Sequence, residues 1–529
     1  MRDIQFPGRS VVMSTRGMVS TSQPMATQAG LDILRRGGNA MDAAVAASAV
    51  QCVTEPQSTG IGGDCFLLYH EARGGKLHGL NASGRAPAKA TLEAYRERGL
   101  ERVPARGGLA VTVPGAIDGW SMALERFGTM GLEELLQPAI EFAEEGYAVT
   151  PVVARFWKLN EGDLAQYEDS RRALLVQGEA PRAGTVHRQP ELARSLRRIA
   201  EGGRDAFYTG PIAEEIVRAS REQGGLLEAE DLAEHRGEWV EPISTEYRGT
   251  RLFEIPPNGQ GIAALMTLNV LEGLPMEEME PAGADRIHAL TEAYKMAAAE
   301  RDRFVSDPDF NELPVAGLLS GAFAEAQRGR LIPGQVLPHP VESGFSEHRD
   351  TIYLSVVDRD RNAVSFINSL FWNFGSALVA GNTGITLQNR GSGFVLEEGH
   401  LNCIAPRKRP LHTIIPAMAY RGAHEVLCYG VMGGNYQALG HAYVLSNWVD
   451  HGMDLQEAID APRFLPVGAE LSVERSLPAA TRQELERRGH RVTEAANPLG
   501  GAQAILIDGK AGVLQAGSDP RKDGCALGY

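Results

Sequence analysis

The chain has 529 residues, 43% hydrophobic and 22% charged, enough for a large core and, by length alone, for two to four domains. Its formal net charge of -15 disfavours nucleic acid or an anionic membrane as a partner, because both would repel it on average. The opening residues hold no apolar run of signal-peptide length and no later segment is long enough to span a membrane. The five cysteines (Cys52, Cys65, Cys403, Cys428, Cys525) form no CxxC pair, so the expectation is a cytoplasmic protein with no disulfide framework and no metal site.

In chain order, a first helix is predicted over Pro24–Arg35, between start signals at Ser22 and Pro24 and the stop at Gly37-Gly38. Asn39, with Asp42 three residues on, opens a second helix through about Val50, so rich in alanine that it is expected to be buried. Glu55–Asp64 (EPQSTGIGGD) is a glycine-rich turn region, and Cys65–Tyr69 a short strand. From about Ala116 to Phe304 the spacing is mainly helical, interrupted by strands near Pro242–Ile243 and Leu252–Ile255. Residues 328–350 carry Pro333, Gly334, Pro338, Pro340 and Gly344 among charged and polar residues, and read as an exposed segment suited to chain cleavage.

A hairpin follows. Ile352–Val357 is a strand, Asp358–Asn362 a turn, and Ala363–Leu370 a second strand. A turn centred on Asp360 sets Val356 opposite Val364, Ser355 opposite Ser365, and Thr351 opposite Ser369. Directly opposed residues of an antiparallel pair share a face, so Ser369 should lie within hydrogen-bond reach of Thr351. Several common motifs fail. Gly60-Ile61-Gly62-Gly63-Asp64-Cys65 starts like GxGxxG but ends on cysteine, and there is no GxxxxGK[ST], GxSxG or HExxH. His412 and His441 stand alone and read as structural.

At the hairpin, Thr351–Asp358, Arg361–Ser365 and Asn373–Ser376 resemble the gamma-glutamyltransferase family, a branch of the N-terminal-nucleophile hydrolases. The likeness extends over nearly the whole chain, through GMVSTSQPMATQAG (17–30), GGNAMDAAVAA (37–47), EPQSTGIGGD (55–64), VPGAIDGW (113–120), EAEDLAEHRGEWVEPISTEYRG (228–249), RDRFVSDPDF (301–310) and GSDPRKDGCALGY (517–529). The resemblance implies an α+β fold, a four-layer αββα sandwich built jointly by a large segment 1–350 and a small segment 351–529. It implies self-cleavage between Asp350 and Thr351, and association of the two fragments, with a homodimer of processed pairs as one option. No cofactor is implied. Thr351 would then be the nucleophile, its freed α-amine acting as base. Ser369 falls where the family has a second threonine that orients that amine. Met432-Gly433-Gly434 resembles the family's paired glycines, whose backbone amides receive the oxyanion.

The acyl pocket departs from the family pattern. Phe371 stands where an asparagine is usual, Arg390 replaces a glutamine and Gly393 an aspartate, so three partners of a substrate ammonium are missing and a cation has appeared. Ser83 holds the position of the carboxylate-binding arginine, with Arg85 two residues on, and His412-Thr413 replace paired serines. These changes resemble the cephalosporin-acylase-like and YwrD-like branch. They imply an amide whose acyl group carries a carboxylate without a neighbouring amine, such as glutaryl, bound through Arg85 or Arg390 with Phe371, His412 and Thr413 nearby. The stretch Phe394–Leu411 is shorter than the family's lid region, which implies a more open site. Two alternatives stand beside this: a gamma-glutamyl hydrolase or transpeptidase, and a non-catalytic binding protein descended from the family.

Overall fold

The computed structural model describes residues 8–332, 334–337 and 351–529. Met1–Pro7, Pro333 and residues 338–350 lie outside the described residues, and with them most of the proline-rich segment and Asp350. Two seven-stranded sheets face each other between two helical layers, which is the four-layer αββα sandwich. Among the described residues, no helix is long and apolar enough to cross a membrane.

One sheet runs, edge to edge, Cys525–Gly528, Met18–Thr21, Ile352–Val357, Ala363–Ser369, Asp64–Glu71, Lys76–Ala82, Glu238–Val240. The other runs Val12–Ser14, Val513–Ser518, Gly501–Asp508, Glu425–Met432, Ala417–Arg421, Thr250–Glu254, Ile243–Tyr247. Both sheets combine strands from before and after residue 350. The hairpin register is Val356 with Val364 and Ser355 with Ser365, as a turn centred on Asp360 requires. Asp358 fixes that turn by accepting from the amides of Asp360 and Asn362.

The alternation of side chains sorts the hairpin into two cores. Ile352, Leu354, Val356, Val364 and Phe366 join the core under the outer helices, whereas Tyr353, Val357, Ala363 and Ile367 join the core between the sheets. Thr351 and Ser369, in phase with the second set, therefore point between the sheets. Close contact there leaves no space at Gly430, where a Cβ would lie 2.3 Å from the Tyr353 ring.

The first helix spans Pro24–Arg35. The second reaches Thr54, beyond the expected end near Val50, and is buried along its whole length. Its extra turn carries Gln51, which donates to Ser22 and Glu55, so a polar end that reads as exposed is held inside. Asn39 and Asp42 form a capping box at its start. Helices Gly261–Leu271, Ala284–Phe304 and Tyr436–His451 cover the second sheet. Strand Lys76–Ala82 was not anticipated: its buried His78 and Asn81 break the apolar alternation that marks a strand.

Candidate active site

Thr351 and Ser369 are both buried at the open end of the hairpin, with their hydroxyl oxygens 3.0 Å apart. Ser369 Oγ also accepts the backbone N–H of Phe371 at 2.9 Å. That leaves the Ser369 hydroxyl one proton to donate and one lone pair for a partner beside Thr351. The glycine-rich turn 60–63 packs against this end: a Cβ on Gly63 would lie 2.3 Å from the Ser369 carbonyl oxygen, so only glycine fits. Asn368 secures the contact by donating to Thr59 and to the Gly60 carbonyl. The turn is thus a support for the hairpin.

Arg390 is fully buried. Its guanidinium stacks over the Phe371 ring, 4.2 Å from the centroid, and Nη1 donates to Thr413 Oγ1 at 2.9 Å. Nε and Nη2, which together form one edge of the guanidinium fork, have no hydrogen-bond partner among the described residues. Asp64 Oδ2 lies 3.9 Å from Nε, close enough for charge compensation and too far for a hydrogen bond. Burial pushes the Arg390 guanidinium down to about 9, with Asp64 opposing, so it remains cationic at neutral pH.

Asp64 was quoted in a motif and given no role by sequence reasoning. It is fully buried and accepts from the Gly84 amide at 2.9 Å, Gln388 Nε2 at 3.1 Å and His412 Nε2 at 2.9 Å. His412 Nδ1 accepts the Ile414 amide at 3.4 Å, so the ring proton sits on Nε2 and points to Asp64. Burial and the Arg390 charge push His412 down to about 4 against the pull of Asp64, which keeps the ring neutral. The ring partner of His412 is thus a carboxylate of the protein. The signal that could have marked Asp64 is a charged residue directly before the apolar run Cys65–Tyr69.

Arg85, the other arginine expected to meet a substrate carboxylate, is already ion-paired. Its guanidinium pairs with Asp307 at 3.1 Å and Asp309 at 2.6 Å and donates to the Arg407 carbonyl. It lines a surface cleft with His235, Arg236, Phe310 and Arg407; none of Thr351, Ser369, Phe371 or Arg390 lines that cleft. Two carboxylates already neutralise Arg85, so Arg390 is the arginine with capacity left for a ligand. Ser83, two residues before it in the chain, is turned inward onto Asn81 Oδ1 at 2.7 Å.

Gly433 (φ +120°) and Gly434 (φ +60°) form the turn between strand Glu425–Met432 and helix Tyr436–His451. Both angles disfavour other residues, and a Cβ on Gly433 would lie 2.8 Å from the Gly500 backbone. Gln260, also missed in the sequence, is fully buried and donates through Nε2 to the carbonyls of Gly434 (2.9 Å) and Thr413 (2.7 Å). Arg301 holds its Oε1 at 2.9 Å. Contacts therefore run without a break from Thr351 through Ser369, Phe371, Arg390 and Thr413 to Gly434. Gly393 sits beside the Leu411 carbonyl, has no side chain to offer, and accepts from Asn402 Nδ2 through its carbonyl at 2.7 Å. His441 is structural, as expected: its Nδ1 pairs with Glu254 at 2.7 Å and its Nε2 accepts the Val431 amide at 3.0 Å.

A hydroxyl pair at a strand end, a glycine turn and a buried cation are the parts of an acyl-transfer site without a histidine base. Residues 26–529 match the family model described as gamma-glutamyltranspeptidase. The chain is 40% identical to the glutathione hydrolase-like YwrD proenzyme of Bacillus subtilis, over 98% of this chain and 99% of that one. It is 35% identical to the oxamate amidohydrolase proenzyme of Klebsiella pneumoniae, with 98% and 99% covered. Its fold matches the crystal structure of a cephalosporin acylase from Bacillus halodurans with a TM-score of 0.92 and 41% identity, over 99% of this chain and 98% of that one.

Proposed function

Because the chain belongs to the gamma-glutamyltranspeptidase family and is a self-processing amidase of the N-terminal threonine type, we propose that Thr351 is its nucleophile and that the acyl group it accepts ends in a carboxylate read by Arg390. Cleavage on the N-terminal side of Thr351 frees an α-amine, which titrates at about 7.7–8.0 in model peptides and takes the proton of its own hydroxyl. The hydroxyl attacks the amide carbonyl, the Gly433–Gly434 turn offers backbone N–H groups to the oxyanion, and the amine leaves with a proton. Water then hydrolyses the threonyl ester. Ser369, 3.0 Å from the nucleophile, holds it in register.

The observation that carries the acyl-group reading is the buried Nε–Nη2 edge of Arg390, which has no hydrogen-bond partner among the described residues. Leaving charged N–H groups buried and unpaired is costly, and a carboxylate fits that edge with two parallel hydrogen bonds. A substrate ammonium facing the same cation would be repelled. The relative named for oxamate, an amide whose acyl group bears a carboxylate and no amine, supports this reading. The test is a panel of amides with one common leaving group. Glutaryl should be cleaved faster than gamma-glutamyl and faster than a neutral acyl chain of equal length. A tenfold or greater preference for gamma-glutamyl would contradict the acyl-group reading and leave Thr351 as nucleophile.

A further inference from the structure

Phe371 makes two contacts that no other residue of the site combines. Its ring lies under the Arg390 guanidinium, and its backbone N–H holds the Ser369 hydroxyl that faces Thr351. It does so at φ +81°, the left-handed region that a bulky side chain rarely enters. Held conformations of this kind persist where surrounding structure enforces them, and they cluster at working sites. Here the enforcement is visible. The turned backbone aims the amide at Ser369 Oγ two residues back, and the next amide, of Trp372, is held by Asn389 Oδ1 at 3.1 Å.

We infer that Phe371 is a specificity-determining positioning residue: it is the platform that sets the free edge of Arg390 at a fixed height and distance from the Thr351–Ser369 pair. This deepens the proposed reading of Arg390 and rests on it. A guanidinium on a flexible stem has many orientations, and three contacts remove them here. The ring fixes its plane from below, Thr413 fixes one edge, and burial closes off the solvent. The remaining edge can point only one way. Because the ring and the Ser369-bound amide belong to one residue, the carboxylate receptor and the nucleophile are positioned by the same backbone. The acyl chain length that reaches both is thereby set, which makes this residue a ruler for the distance between the scissile carbonyl and the distal carboxylate.

The test uses the full-length, self-matured protein and the ratio of kcat/KM for a glutaryl amide to that for a neutral acyl amide of equal length. Phe371→Leu should lower this ratio at least tenfold, mainly by raising KM for the glutaryl substrate, because an aliphatic side chain gives the cation no π-face. Phe371→Tyr should restore the ratio to within about threefold of wild type, since it keeps that face. Phe371→Asn, at home in the left-handed region, should lose the ratio as Leu does. Should Phe371→Leu fail to mature, Phe371→Met takes its place in the series. Arg390→Gln is measured alongside. If Arg390→Gln removes the preference and Phe371→Leu keeps it, the platform role is wrong and the Arg390 reading stands. If Arg390→Gln keeps the preference, the Arg390 reading itself is wrong. A uniform loss on both substrates, with the ratio unchanged in Phe371→Leu, would also overturn the platform role and leave Phe371 as a packing residue.

Discussion

Two buried polar clusters in this protein are built from similar parts and end differently. Around Arg463, every group shown is met. Its guanidinium donates to the carbonyls of Leu499 and Ile459 and to the Asp519 carboxylate, and Arg521 completes the set with Asp519 and Glu474. Burial alone would raise the Asp519 carboxyl, yet Arg463 and Arg521 hold it below its usual range. Around Arg390, equally buried, one nitrogen is met and two are not. Burial therefore does not separate these two clusters; unmet hydrogen-bonding capacity does. The closed cluster welds strand Gly501–Asp508 to the small sheet at residues 464–473, and the open one keeps one guanidinium edge without a hydrogen-bond partner among the described residues.

That contrast yields predictions, and the largest effects fall in the open cluster. Thr351→Ala should abolish both chain cleavage and amide hydrolysis, because no hydroxyl remains to attack either carbonyl; any residual cleavage at that bond, seen on a denaturing gel, counts against Thr351. Ser369→Ala should mature more slowly and lower turnover by about 10–1,000-fold, the scale of a positioned group in acid–base catalysis. Full turnover in the processed variant would remove Ser369 from the mechanism.

The closed cluster should respond in stability instead. Arg463→Gln leaves part of the Asp519 charge buried and uncompensated, a loss on the order of 3 kcal/mol, read as a lower thermal midpoint with unchanged preference among acyl groups. Arg390→Gln should do the opposite. Its free energy of unfolding should change by less than about 1 kcal/mol, since an unsatisfied buried charge is removed while Asp64 keeps its hydrogen bonds from Gly84, Gln388 and His412, and the gap between glutaryl and gamma-glutamyl amides narrows. Equal destabilisation by both substitutions would erase the distinction between the two clusters.

The sequence made these regions legible to different degrees, for a physical reason. Thr351 and Ser369 could be paired because both lie on one hairpin, where a two-residue period and a short turn leave a single register. Arg390 and Arg85 could not be ranked, because their partners are far away in the chain. Asp307 and Asp309 claim Arg85, and nothing local to Ser83–Arg85 announces that. Asp64 stayed silent for the same reason: Gly84, Gln388 and His412 reach it only in the folded protein. The layered fold was legible as a resemblance spread over many segments, whereas strand Lys76–Ala82 was hidden by its own buried polar residues.

A separate effect concerns pH. Burial pushes His412, His187 and His235 each down to about 4, in His412 with help from Arg390 and in His235 against the pull of Asp118. The unfolded chain takes up these protons near the ordinary value of about 6.5 and the folded protein does not, so more protons bind the unfolded state between those values. Stability should hold above about pH 6.5 and fall progressively as pH drops toward 4. His412→Gln should flatten part of that slope. A thermal midpoint that stays level from pH 7 to pH 4.5 would contradict this account of the buried rings.

The central claim, that this chain makes its own nucleophile by cutting itself at one bond, is tested most directly by the intact mass of the purified protein under denaturing conditions. Wild type should separate into two polypeptides, one of them matching Thr351–Tyr529 with a free α-amine, and Thr351→Ala should remain a single chain. A stable wild-type protein of uncut mass that still hydrolyses amides, or a fragment that begins at any other residue, would contradict it.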